Sequence, residues 1–139
     1  MRQGLALTFA LLTILGTSCR QKIKVDSYEN IKKDLKGVEL EKTKPYADPS
    51  GFENEINNGG LNQYFFNSAG LNCFETLRYF KQNGKTKEAA ILEKAISLIN
   101  PKNLPEKELL ENLRKRIVAE LDDSTINEKL DKLDNEYYK

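Results

Sequence analysis

The side chains that do most protein chemistry are thinly supplied in this sequence. Its 139 residues include no histidine, which removes His-based triads and His-ligated zinc. Cys19 and Cys73 are too few for a thiolate metal cage. Acid pairs such as Asp122 with Asp123 and Asp131 with Asp134 fall where solvated helix faces are expected. A glycosidase would need two carboxylates across a cleft, and nothing in the spacing singles out a pair. Gly59-Gly60 is not followed by the Lys-Ser/Thr of a phosphate-cradling loop. These residues lead to an expectation of no catalytic residues, no metal ligands and no cofactor, with a carboxylate-dependent hydrolase as the alternative.

The polar chemistry that stands out belongs to recognition. The run Asn58-Gly59-Gly60-Leu61-Asn62-Gln63-Tyr64-Phe65-Phe66-Asn67-Ser68-Ala69-Gly70 combines paired glycines, amides and three consecutive rings. Paired glycines permit a positive φ and a tight turn between helices. Gln63 and Asn67 are four apart, so their amides share a helix face and are expected to bond backbone groups around the turn. Consecutive rings on a short helix point in different directions. One of Tyr64, Phe65 and Phe66 is therefore expected to be partly exposed or to lie under the linker, with Tyr64 first because its hydroxyl favours a wet end. The candidate binding or structural motif is thus Asn58, Gly59, Gly60, Gln63, Tyr64, Phe65 and Asn67.

Cys19 is the one residue with a specific modification chemistry. Arg2 gives a positive start, Leu5 to Leu15 is apolar apart from two threonines, and Gly16-Thr17-Ser18 brings small residues up to the cysteine. That layout is a secretory signal with an apolar region too short to span a bilayer. The cysteine directly after the small residues resembles a bacterial lipobox, although Gly16 stands where leucine is favoured. The expectation is a signal peptide over 1–18, a lipid on Cys19 and a membrane as the first partner. The place is then the bacterial cell envelope, on the periplasmic or outer-membrane face, with simple secretion as the alternative.

The elements follow from periodicity and breakers. Residues 19–50 look like a tether with at most one helix, capped by Ser27 with Tyr28, Ile31 and Leu35 on a face, and then a Pro45/Pro49 linker. The domain is expected from 51 to 139. Phe52 and Ile56 form one apolar pair, Leu61 to Phe66 a short second element, and Cys73, Leu77 and Phe80 a third face ended by Asn83-Gly84. Residues 87–99 make the strongest helix. Pro105 with Glu106 and Glu108 suits a first turn, and Leu109, Leu113, Ile117 and Leu121 form a stripe. Thr125 with Glu128 suggests a capping box before Ile126, Leu130, Leu133 and Tyr137. No segment alternates with period two. The fold class is all-α, a small compact bundle of about five helices after the signal peptide and tether.

The run Asn58 to Phe65 with Asn67, then Ala89-Ala90 through Ile99, then Leu133-Asp134 with Tyr137-Tyr138, resembles the bacterial DNA-mimic protein family over residues 51–139. The resemblance implies an all-helical fold, no known catalytic activity, and a protein partner engaged through an acidic surface. Phosphate mimicry itself needs a strong, ordered negative field. The net charge here is +1, and Lys81, Lys85, Lys87 and the run Arg114-Lys115-Arg116 interrupt any such field. Residues 20–44 lean basic and 120–139 lean acidic, without a global field that would draw nucleic acid. The expected function is a non-catalytic, membrane-tethered protein-interaction module of unknown partner. An immunity-type protein that neutralises its partner is a further alternative.

Overall fold

In the computed structural model, residues 28–139 are described, the first two by backbone alone. The expected signal peptide, the lipidation at Cys19 and the Ser27 cap lie outside the described residues. Those residues form an all-α domain of six α-helices and two 3-10 turns: α1 (Tyr28–Leu35), α2 (Pro49–Phe66), α3 (Cys73–Gln82), α4 (Thr86–Ile99), α5 (Glu106–Arg114) and α6 (Ser124–Tyr137), with 3-10 turns at Ser68–Asn72 and Ala119–Asp122. No helix among them is long and apolar enough to cross a membrane.

The element that organises the domain is α2. It begins with Asp48, whose carboxylate accepts the Gly51 N–H at 2.9 Å, and with Pro49 in the first turn. An acid cap followed by proline is a strong helix start, because the cap satisfies an orphan donor and proline sacrifices none. The helix then breaks and restarts at Gly60, whose φ of 82° and ψ of −172° lie in a region open essentially to glycine alone. The expected pair of short elements around Gly59-Gly60 is therefore present, as the two helical halves of α2 joined at a sharp kink.

Both halves of α2 are wrapped by other elements: α3, α6 and both 3-10 turns contact it. This explains why the expected exposure of Tyr64 does not occur. Tyr64 and Phe65 are fully buried and Phe66 nearly so. Phe52 sits at the centre, edge-on to Tyr64 at 5.1 Å, Phe80 at 5.3 Å and Tyr137 at 6.0 Å between ring centroids. Edge-to-face pairs of this kind contribute roughly 0.5–1.5 kcal/mol each beyond area burial. Phe66 points away from that cluster and is covered by Lys32 of α1 and by Arg116, so it is the ring that lies under the N-terminal segment.

Two further expectations change. The stripe Leu109, Leu113, Ile117 and Leu121 is not one helix. Helix α5 ends at Arg114, Arg116 takes a φ of 54°, and Ile117 is left exposed while Val118 and Leu121 turn inward. The start of α6 is capped by Asp123, whose side chain accepts the Ile126 N–H at 3.0 Å, rather than by a Thr125–Glu128 box.

Residues 38–48 are extended, as Pro45 suggests, and they are fastened to the bundle, whereas Pro49 opens α2 and is not part of the expected linker. The Leu40 N–H donates to the Arg114 carbonyl at 2.9 Å, the Tyr46 N–H to Asn72 Oδ1 at 3.1 Å, and the Asp48 N–H to Thr76 Oγ1 at 3.0 Å. Asn72 and Thr76 are buried polar residues, so the strap supplies donors to acceptors that would otherwise be orphaned. Arg114 clamps the same segment with an ion pair to Glu39 at 2.6 Å and is itself held within α5 by Glu111 at 2.7 Å.

Candidate functional site

The motif residues converge on the kink, and the late part of the chain meets them there. The Leu61 N–H, freed by the break at Gly60, donates to Asp134 Oδ1 of α6 at 2.9 Å. A β-carbon on Gly60 would stand 2.2 Å from Asp134 Oδ2, so glycine serves both the backbone angle and the carboxylate's approach. Burial, with the nearby Asp131 carboxylate adding to it, pushes the Asp134 pKa up to about 6, although the Leu61 bond opposes the rise. Three residues on, Tyr137 packs edge-on to Phe52, and the Tyr138 hydroxyl donates to the Ile56 carbonyl or Asn57 Oδ1, each at 3.0 Å. The two separated sequence blocks, 58–67 and 133–138, are thus the two sides of one joint.

Gln63 and Asn67 do share a face, but their partner is a side chain and not the backbone. Gln63 Nε2 donates to Glu55 Oε2 at 2.8 Å, and Asn67 Nδ2 reaches both Glu55 oxygens at 3.2 and 3.1 Å. Glu55, on the first half of α2, therefore bridges the kink to both amides on the second. Gly59 is exposed, and a β-carbon there would meet Gln63 Oε1 at 2.0 Å. Asn58 is exposed at the end of the first half. Beneath them the buried Tyr64 hydroxyl has no hydrogen-bond partner among the described residues. Burial drives its pKa well above 10 and the Cys73 thiol adds to the rise; the Thr76 hydroxyl opposes it without meeting hydrogen-bond geometry. Cys73 is itself fully buried with its pKa pushed above the ordinary thiol range by desolvation, the state of an unreactive core cysteine.

A second feature lies on the other side of α2. Lys32 of α1 is only 5% exposed, and an ammonium so placed requires satisfied hydrogen bonds. It donates to the Leu121 carbonyl, to Asn62 Oδ1 at 3.3 Å, and pairs with Asp122 at 3.3 Å. Asn62 in turn donates to the Leu121 carbonyl at 3.0 Å and to Asn127 Oδ1. This network ties α1, α2, the second 3-10 turn and α6 together. Beside it opens a cleft of about 230 Å3. Phe65, Phe66, Leu113, Val118 and Leu121 form its apolar wall, and Lys32, Lys33, Lys36, Arg116 and Asp122 its polar one. Arg116 is oriented by the carbonyls of Phe66 at 3.3 Å and Val38 at 2.6 Å, with its guanidinium 5.0 Å from the Phe66 ring centroid.

Sequence reasoning missed Lys32, Glu55, Thr76 and Asp134 as partners. Thr76 lies one residue before Leu77 in the apolar pattern of α3, a weak hint of burial. Lys32 and Glu55 sit among exposed charges of the same types, so their neighbourhoods carry no signal, whereas Asp134 stands in the Leu133-Asp134 pair that is part of the family resemblance. Among the described residues no group of three or more acidic or cysteine side chains is placed to hold a metal ion.

No curated protein matches the chain, and no solved structure does. The resemblance noted from the Asn-Gly-Gly and Gln-Tyr-Phe residues is borne out at the family level. Residues 50–139, well over half of the chain, match the DMP19-like protein family, and the chain belongs to that family.

Proposed function

We propose that this chain is a non-catalytic protein-interaction module held at a membrane of the bacterial cell envelope by a lipid on Cys19. The observation that supports binding most strongly is the cleft between α1 and the bundle, where aromatic and aliphatic side chains meet a set of lysine and arginine heads. Arginine is enriched at protein interfaces. Lys32, Lys33 and Lys36 of the cleft lie within the proposed tether of residues 19–50, so the anchor would present the cleft beside the membrane.

The alternative of a carboxylate hydrolase draws on Asp134, whose raised pKa is the kind of shift found in catalytic acids. Its two oxygens, however, are committed to the kink: one accepts the Leu61 N–H and the other lies against Gly60. That engagement makes it a helix cap from another element rather than a proton donor to a substrate.

The test is fractionation and capture. Wild-type protein should partition with membranes and carry acyl mass on its N-terminal cysteine, and Cys19→Ala should be released or left unprocessed. Cross-linking in intact cells, followed by detergent extraction and mass spectrometry, should then recover a reproducible protein partner. A soluble, unacylated wild-type protein would sink the anchor, and absence of any reproducible cross-link would sink the module.

A further inference from the structure

We infer that the groove between the strap and α5 binds a small amphipathic anion, an unbranched aliphatic chain with one carboxylate, the chain lying on Pro45 and Leu110 and the head between Lys42 and Lys107. The ligand is a small molecule, so the inference depends neither on the protein partner nor on the anchor proposed above. The groove has a structural cause. The strap is pinned to the bundle at Leu40, through the Arg114 carbonyl, and at Tyr46, through Asn72. Between those points residues 41–45 make no hydrogen bond to the bundle among the described residues. That span borders a groove of about 650 Å3 against α5. Small-ligand pockets occupy roughly 300–1,000 Å3. Leu71 is nearly buried and closes the back of the groove, while Pro45 and Leu110 are only partly buried and leave apolar surface open to it.

The charges around the groove select the head. Glu106 is held by Arg78 at 3.0 Å, and Glu111 by Arg114 at 2.7 Å and Lys115 at 3.2 Å. Arg114 is also paired with Glu39 at 2.6 Å, so it is compensated. Lys42 of the strap and Lys107 of α5 are exposed and enter no ion pair or hydrogen bond among the described residues. The unmatched charge is therefore two ammonium groups, one on each bank of an aliphatic surface. Such a surface carries no ring on which an aromatic ligand could stack, and it suits a flexible chain. Attraction to two surface lysines is modest and screened by salt, so the chain supplies the larger part of the binding.

The experiment titrates the full chain, in phosphatidylcholine nanodiscs, with octanoate and follows the leucine methyl signals by carbon–proton NMR. The Leu71 and Leu110 signals should shift saturably, with an affinity that falls ~fivefold or more in Lys42→Glu/Lys107→Glu. Lys129→Glu/Lys132→Glu, the same reversal on α6, should leave it within ~twofold. Hexanoate, two methylenes shorter, should bind ~fourfold or more weakly than octanoate. Leu110→Trp should fill the groove and abolish the saturable response at Leu71; if that variant fails to fold by circular dichroism, Thr43→Trp on the exposed strap replaces it with the same expectation. Acetate as effective as octanoate would show a bare anion site, and octyltrimethylammonium as effective would show apolar contact without recognition of the head. Equal losses in the two lysine pairs would show general charge attraction. Each of these results would overturn the proposal. Absence of a saturable shift at either leucine would overturn it as well, and would leave the module reading standing.

Discussion

The carboxylate at the kink offers a sharp test of how α2 is built. Asp134 is half-buried against Gly60, and its pKa is raised from 3.8 to about 6. A proton is therefore bound more tightly by the folded chain than by the unfolded one. Folding stability from this group is fully present below the unfolded pKa and is lost as pH rises through the folded value, the reverse of an ion-paired aspartate. A shift of about two units corresponds to at most ~3 kcal/mol, and solvent screening of a half-exposed carboxylate reduces that to about 1–2 kcal/mol. Asn at 134 keeps an oxygen for the Leu61 N–H and removes the charge. Asp134→Asn should accordingly be more stable than wild type at neutral pH by about 1 kcal/mol, the charge-assisted part of the Leu61 bond offsetting some of the gain. Urea titrations followed by far-UV circular dichroism from about pH 4 to pH 8 would give the difference between the two proteins, in which other carboxylates cancel. The difference should grow across the interval from about 4 to 6 and level off above it. A difference that is flat with pH, or an Asn variant less stable at neutral pH, would refute the view that burial outweighs the cap bond. Asp131→Asn should narrow the effect, because the neighbouring charge contributes to the shift.

Gly60→Ala should cost about 2–3 kcal/mol, read as a lowered melting temperature, since the residue occupies a glycine-only region against Asp134. Gly59→Ala should cost under about 1 kcal/mol, because its clash is with the far end of Gln63 and alanine favours the helix; equal losses at both positions would contradict the assignment of the kink to Gly60. Tyr64→Phe should leave stability unchanged or raise it by up to about 1 kcal/mol, because it removes a buried hydroxyl that lacks a partner. A loss in urea midpoint would mean that the hydroxyl is bonded. Gln63→Ala and Asn67→Ala should each lower stability by about 0.5–1 kcal/mol through the loss of a charge-assisted bond to Glu55, and in a Glu55→Ala background those losses should largely vanish.

The helical part of this fold is legible because it depends on neighbours within a turn or two. The spacing of Phe52 and Ile56, of Leu92, Ala95 and Ile99, and of Leu130 and Leu133 marks the inward faces, and all of these residues are buried. Gly60 is legible for the same reason, as a local demand on φ. What is not legible is which polar residue answers another across the chain. Asp134 and Leu61 are 73 positions apart, and Lys32 and the Leu121 carbonyl 89. Local spacing near either end does not distinguish such a residue from a solvated charge. The reading of Tyr64 as partly exposed fails on a related point. It assumes a helix with one face to a core, whereas the second half of α2 is enclosed, by α3 and α6 on one side and by Lys32 and Arg116 over Phe66 on the other. The covering on that second side comes from α1 and from the turn after α5, segments whose sequence is rich in lysine and arginine. Basic stems can shield an aromatic ring, and here the Lys32 head is itself buried in a hydrogen-bond network. The same substitution of cations for aliphatic side chains over Phe66 that hides the ring from sequence analysis is what leaves a charged cleft beside it.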